Sequence, residues 1–297
     1  MSNYNLPDIS GEYRFNYNLS SLTWFKVGGP ATILFKPKDL EDLCHFLQNY
    51  KGNLPIHVLG AGSNTIIRDG GFDGIIIKLG RNFTNIEILE NSRLLVGAGA
   101  LNFNVANFCC ENSIKNLEFL VGIPGTIGGG IAMNAGSYGQ EFKDILLEVK
   151  AVDLSGQIQV LECKDFGFGY RKNSLNEQLI FIEAIFKAQS GIREEIKQSM
   201  NQITSERQKT QPINQKTGGS TFANPDNAKA WKLIDAQGLR GHKIGGAQIS
   251  PLHCNFLVNT GDALSKDLEE LGNLALQKVF ENTGIELVWE IKIIGKK

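Results

Sequence analysis

Leu59-Gly-Ala-Gly-Ser-Asn-Thr-Ile-Ile-Arg-Asp-Gly-Gly71 follows a short apolar run, Pro55-Ile-His-Val-Leu59, and opens like a dinucleotide fingerprint. Thr65 stands where the third glycine of GxGxxG belongs. The residues after it are too few and too glycine-rich to begin the helix on which a pyrophosphate would rest. A doubly wound nucleotide fold is therefore disfavoured. Two readings of the turn stay open: a phosphate nest of successive backbone N–H groups with Ser63 and Asn64 as side-chain donors, or a plain tight turn between strands. Alone, the segment leans to the turn.

A second glycine-rich stretch is more specific. Gly122-Ile-Pro-Gly-Thr-Ile-Gly-Gly-Gly130 continues as Ile-Ala-Met-Asn-Ala-Gly-Ser-Tyr-Gly139, a long series of small residues. Small residues let backbone approach a ligand closely. As mere connection the stretch would be long and entropically expensive, so it reads as a binding loop. Further on, Pro212-Ile-Asn-Gln-Lys-Thr-Gly-Gly-Ser-Thr-Phe-Ala-Asn224 sets Ser220 after two glycines, in a segment too flexible for core.

The rest of the chain bounds the class. Its 297 residues carry a net charge of −1, with 42% hydrophobic and 21% charged residues, which describes an ordinary globular protein. Nucleic-acid binding lacks the clustered cations it requires. The N-terminus shows neither the basic nor the apolar part of a signal peptide, and the longest apolar runs, such as Ile75–Ile77 and Ile291–Ile294, fall far short of a membrane span. The expectation is a cytoplasmic protein. Its five cysteines form no CxxC pattern and read as inert thiols, and its four histidines show no metal-ligand spacing, so no metal is expected.

Leu40, Leu43, Phe46, Leu47 and Tyr50 recur at helical spacing behind a capping Asp39. Strands are expected at 55–59, 74–79, 85–89 and 94–96, with a hairpin of 147–154 and 157–161 around Ser155-Gly156, and another strand at 178–188. Helices are expected at 192–208, 228–238 and 266–283, the last stopped by Gly284, with strands at 255–259 and 287–294. Strands and helices mix without regular βαβ alternation, which makes an α+β protein with a break near residue 195.

With these motifs in view, a resemblance is plain. Thr23-Trp-Phe-Lys-Val-Gly-Gly-Pro30, Leu59–Asn64, Gly122–Thr126, Met133-Asn-Ala-Gly136, Tyr170-Arg-Lys-Asn-Ser174, Gly219-Ser-Thr-Phe222 and Glu290-Ile-Lys-Ile-Ile-Gly295 occur in order over nearly the whole chain. The sequence resembles the UDP-N-acetylenolpyruvoylglucosamine reductase family of bacterial peptidoglycan synthesis. The resemblance implies an FAD-binding fold of the vanillyl-alcohol-oxidase type in two subdomains, 1–75 and 76–195, and a smaller αβ substrate-binding domain, 196–297. It implies FAD against Gly60, Ala61, Gly62, Ser63, Asn64, Pro124, Gly125, Thr126, Gly129, Asn134 and Gly136, held noncovalently because neither loop carries a histidine or a cysteine. Residues 196–217 are too short for the extra tyrosine loop of some members, so this is the shorter type. A monomer is expected.

The implied reaction uses NADPH to reduce FAD, then moves hydride from flavin N5 to C3 of an enolpyruvyl ether on a UDP-sugar, giving UDP-N-acetylmuramate. Charge driven into C2 and the carboxylate then calls for a cation at the carboxylate and a proton donor facing C2. By motif match Arg171 supplies the first, with a guanidinium fork suited to a carboxylate. Ser220 supplies the proton, and Glu290 stabilises the intermediate or helps reprotonation, with a raised pKa if its carboxyl acts as a donor. Tyr138 and Asn224 are candidate contacts to the nucleotide sugar. One departure stands out: members carry Lys or Arg before the Asn-Pro, where this chain has Ala223, which leaves Lys216 or Lys209 as substitutes for the cation at the substrate diphosphate. The rival reading keeps FAD but makes the chain an oxidase of the same superfamily acting on another substrate.

Overall fold

The computed structural model describes residues 4–175 and 178–297. The chain forms two compact units, each assembled from separated stretches: Met1–Phe15, Ile33–Ala61 and Gly74–Ser205 in the first, Asn16–Thr32, Gly62–Asp73 and Glu206–Lys297 in the second. Helices and strands mix in both, an α+β architecture as expected.

Two sheets organise the first unit. One has the strand order Glu12–Asn18, Pro30–Lys36, Phe72–Ile77, Ile56–Val58, and its last two strands run parallel with Val58 opposite Ile77. The other is antiparallel and five-stranded, in the order Ile158–Glu162, Leu146–Asp153, Leu179–Lys187, Arg93–Gly97, Ile86–Leu89. Its hairpin turns at Gly156, where a φ of 81° is costless only without a Cβ. Asp39 caps Leu40–Asn49 as its sequence position predicts, its Oδ1 accepting the Asp42 N–H at 3.0 Å. That helix lays Leu43, Phe46 and Leu47 into a cluster with Ile33, Phe35, Ile75 and Ile77.

The glycine-rich stretch read as a binding loop is not loop throughout. Thr126 caps a short helix, Ile127–Ala132, inside it. Its glycines serve close packing: a Cβ on Gly130 would sit 2.4 Å from the ring of Phe142. A helix of this composition is weak by propensity, and burial of Ile127 and Ile131 in the core holds it. Helix Asn102–Glu111 has no counterpart in the sequence expectations either.

In the second unit an antiparallel sheet runs Lys216–Ser220, Phe256–Asn259, Ala247–Ile249, Lys243–Ile244, covered by helices Ala230–Ala236 and Ser265–Thr283. Phe222, Ile234, Leu257, Leu268, Leu271 and Val279 fill its core. The strand expected over 287–294 is divided in two. Residues 288–290 pair point by point with 221–223, whereas Lys292–Ile294 joins Thr65–Ile67 in a parallel pair. The period-two alternation survives the change of partner, with Leu287 and Ile291 buried and Val288 and Lys292 exposed.

Candidate active site

In the first unit, Gly60 follows the end of a parallel strand, where Leu59 donates its N–H to the Ile77 carbonyl at 2.9 Å. A Cβ on Gly60 would lie 2.8 Å from Thr126 Oγ1, so the two glycine-rich segments meet here and only glycine keeps the space between them. The second segment is fixed from below. Asn102 donates its N–H to Gly125 O at 3.0 Å, Ile127 to Ala100 O at 2.9 Å and Gly128 to Ala98 O at 2.8 Å. Pro124, Gly125, Thr126 and Gly129 therefore form one rigid edge, with Thr126 Oγ1 accepting the Gly129 N–H at 3.3 Å. Behind this edge Asn102 donates to Ile123 O at 3.1 Å, while its Oδ1 is buried with no partner among the described residues. Lys78 Nζ donates to Gly60 O.

Arg171 belongs to the same unit, with a positive φ of 57°. Its Nη2 donates to Gly136 O at 2.7 Å and its Nη1 to Asn134 O at 3.4 Å, with Glu141 Oε1 at 3.9 Å. Asn134 and Tyr138 also hold positive φ, 44° and 52°, unusual for residues with a Cβ. The Asn134 side chain is committed inside the protein: it donates to Glu141 Oε2 and Gly169 O and accepts the Lys143 N–H. Its backbone is engaged as well, the N–H donating to Ile131 O at 3.1 Å and the carbonyl accepting from Arg171. Tyr138 is exposed and donates its hydroxyl to Ile203 O at 3.3 Å. Arg171, Asn134 and Gly136 are thus brought together.

The second unit gathers the other candidates. Gly62 has φ 65°, and a Cβ there would meet Leu22 O at 2.2 Å, so Gly62 is obligatory where the Trp24 N–H bonds its carbonyl at 3.0 Å. Asn64 Nδ2 donates to Glu290 O at 3.1 Å, and the Lys292 N–H bonds Asn64 O at 3.0 Å. Ser220 ends a strand whose register slips between Thr217 and Ser220, through Gly219 at φ 79°. One residue on, Thr221 O accepts the Glu290 N–H at 2.9 Å. Ser220, Glu290 and Asn64 therefore sit on adjoining, hydrogen-bonded backbone. Ser220 is half-buried, and its hydroxyl has no hydrogen-bond partner among the described residues. Asn224 Oδ1 accepts the Ala230 N–H at 3.0 Å at the start of a helix.

Known proteins match this arrangement along the whole chain. A family model described as an FAD binding domain covers residues 31–162, and one described as the C-terminal domain of UDP-N-acetylenolpyruvoylglucosamine reductase covers 211–294. The chain is 58% identical over 291 residues to the UDP-N-acetylenolpyruvoylglucosamine reductase of Rickettsia akari (strain Hartford), spanning 98% of both sequences. The chain belongs to the UDP-N-acetylenolpyruvoylglucosamine reductase family. A relative from Rickettsia bellii (strain RML369-C) is 57% identical over 292 residues, covering 98% of this chain and 97% of its own length. The crystal structure of UDP-N-acetylenolpyruvylglucosamine reductase from Thermus caldophilus superposes with a TM-score of 0.84 at 32% identity, covering 97% of this chain and all of that one. The vanillyl-alcohol-oxidase type of FAD-binding fold follows from the same matches.

For a member of the UDP-N-acetylenolpyruvoylglucosamine reductase family, two residues here escaped the sequence. Asn255 is buried, its Oδ1 accepting the Phe222 N–H at 3.0 Å and its Nδ2 donating to Phe222 O at 2.8 Å, which pins the strand just past Ser220. An amide isolated in the apolar run Cys254-Asn-Phe-Leu-Val258 is the only signal of it. Lys78 is the other, the first charge after Ile75-Ile-Ile77. His253 packs against Phe256 and Trp231, and burial lowers its pKa. The thiols are protected in the same way. Burial pushes Cys109 up to about 12 and Cys254 up to about 11, while Cys44 and Cys163 are only half-buried. Alkylation of the native protein near pH ~8 is therefore expected at Cys44 and Cys163 well before Cys109 and Cys254. Peptide mapping of a time course checks this, and early modification of Cys109 would contradict it.

Proposed function

We propose that this chain reduces the enolpyruvyl ether of UDP-N-acetylglucosamine enolpyruvate to the lactyl ether of UDP-N-acetylmuramate, using NADPH and noncovalent FAD, in the supply of peptidoglycan precursors. Membership of the family supports the reaction. The geometric observation that carries it is the Glu290–Thr221 backbone pairing, which brings a carboxyl and the unpartnered hydroxyl of Ser220 onto neighbouring strands. Bound FAD supplies the two-electron step, reduced by NADPH and oxidised by the enolpyruvyl double bond.

The residues fit such a cofactor. The space kept by Gly60 against the Thr126 hydroxyl and the cation at Lys78 suit a phosphate. Gly60, Ala61, Gly62, Ser63 and Asn64, with Pro124, Gly125, Thr126, Gly129, Asn134 and Gly136, are assigned to FAD. Residues 1–75 and 76–195 form its two subdomains, and 196–297 the substrate domain. Arg171, with two of its nitrogens already anchored on Asn134 O and Gly136 O, takes the substrate carboxylate and keeps its charge throughout. Ser220 delivers the proton to C2. Glu290 stabilises the charge developed there, its position fixed by the bonds its backbone makes to Thr221 and Asn64. Tyr138 and Asn224 contact the nucleotide sugar. The protein works as a cytoplasmic monomer.

The test is an anaerobic visible spectrum of the purified protein before NADPH, after NADPH and after the enolpyruvyl UDP-sugar. Yellow protein bleached by NADPH and recoloured by the sugar is the expected result. Protein that stays colourless after reconstitution with FAD would overturn the cofactor. Protein that bleaches and is recoloured by oxygen but not by the sugar would transfer the reading to an oxidase.

A further inference from the structure

Strands Ile56–Val58 and Phe72–Ile77 run parallel and end together, the first giving way to Gly60 and the second to Lys78. The carboxyl ends of parallel strands are where α/β sheets place their ligands. Lys78 is held there by two bonds: its N–H donates to Phe35 O at 2.9 Å, and its ammonium donates to Gly60 O. No carboxylate among the described residues pairs with it. The nearest charge acting on it is a second cation, Lys36, at the end of the adjoining strand Pro30–Lys36. Glu12, which also feels Lys36, is paired chiefly with Arg14 at 2.6 Å, so this acid is not the counterion of Lys78. Burial and Lys36 together lower the Lys78 pKa.

A half-buried ammonium beside a like charge is costly, and capping one carbonyl does not require it, since a neutral amide would donate as well. The cost is offset where an anion completes the set. Gly60, whose carbonyl holds the ammonium, is also the residue whose missing Cβ leaves room against Thr126 Oγ1. Cation and hydroxyl thus both adjoin Gly60. We infer that Lys78 is a phosphate-binding residue of the cofactor site, its ammonium presented through Gly60 to an anionic oxygen of a nucleotide diphosphate. The inference rests on the assignment of the Gly60 loop to the diphosphate of FAD.

The experiment titrates apoprotein with FAD, with ADP and with riboflavin, following flavin fluorescence or heat. Lys78→Gln keeps a donor for Gly60 O and removes only the charge, and Lys78→Arg restores the charge. Lys78→Gln is expected to raise the Kd for FAD and for ADP by about 30-fold or more, as for a buried charge deprived of its partner, and to leave riboflavin unaffected. Lys78→Arg is expected to recover most of the FAD affinity. FAD binding by the wild type should also weaken with ionic strength more steeply than binding by Lys78→Gln. Unchanged FAD affinity in Lys78→Gln would overturn the inference, as would equal losses for FAD and riboflavin, which would mark a scaffold role. Wild-type apoprotein that binds riboflavin and FAD equally would reject the diphosphate assignment of the Gly60 loop, and one that binds no flavin would reject the cofactor itself.

Discussion

Ser220→Ala is expected to leave the bleaching of the flavin by NADPH at its wild-type rate and to slow recolouring by the enolpyruvyl sugar by about 10²- to 10⁴-fold, the usual worth of a positioned proton donor. The asymmetry follows from where the hydroxyl stands. It ends the strand Lys216–Ser220, half-buried and unpartnered among the described residues, on backbone that adjoins Glu290. Removing one oxygen there disturbs no packing, so folding and NADPH oxidation should not change. Stopped-flow absorbance measures the two half-reactions separately. Equal losses in both would point to a structural serine, and no loss in either would remove Ser220 from the chemistry.

Replacing Asn255 with leucine is expected to have the largest effect on stability, about 2–5 kcal/mol, because it strands both the N–H and the C=O of Phe222 in the core without partners. Leucine has as many side-chain heavy atoms as the amide, so no cavity is left and the main cost is that of two unsatisfied groups. Asn255→Asp keeps the acceptor but sets a buried carboxylate against Phe222 O, and should lose at least as much. Urea unfolding of the three proteins provides the comparison, and a loss under about 1 kcal/mol for the leucine variant would show that the Phe222 groups find other partners. Since the fork lies two residues past Ser220, the surviving folded fraction should also recolour slowly.

Local chemistry was readable in the sequence wherever it acts over a few residues. Asp39 capping Leu40–Asn49, the turn at Gly156 and the left-handed stop at Gly284 are each decided by one residue and its neighbours. The helix Ile127–Ala132 was not readable, because its glycines argue against it and it is held by burial of Ile127 and Ile131 in the core. Asn102–Glu111 has a weak apolar stripe, in which a fully buried Asn102 disguises the inner face. In the candidate site, the motif residues were named one at a time. What joins them, such as Asn64 to Glu290 across 226 residues or Asn255 to Phe222 across 33, depends on strand partners that no periodicity announces. Lys78 was passed over for a related reason: a lysine after an isoleucine run looks like the exposed end of a strand until its partner, Gly60 O, is known.

The parallel pairing of Lys292–Ile294 with Thr65–Ile67 has a consequence for how the protein is made. Ile66 and Ile67 are fully buried, and the N–H groups of Arg68 and Gly70 bond Ile294 O and Lys296 O. On the ribosome these residues emerge some 226 positions before their partners do, a wait of about 10–45 s at ordinary elongation rates. Throughout that interval an apolar strand lies open beside the growing chain, in reach of wrong partners. A nascent chain stalled or cleaved before Lys292 would keep it open for good, which makes the emergence of Lys292–Ile294 the point at which this segment stops being a target for chaperones and proteases.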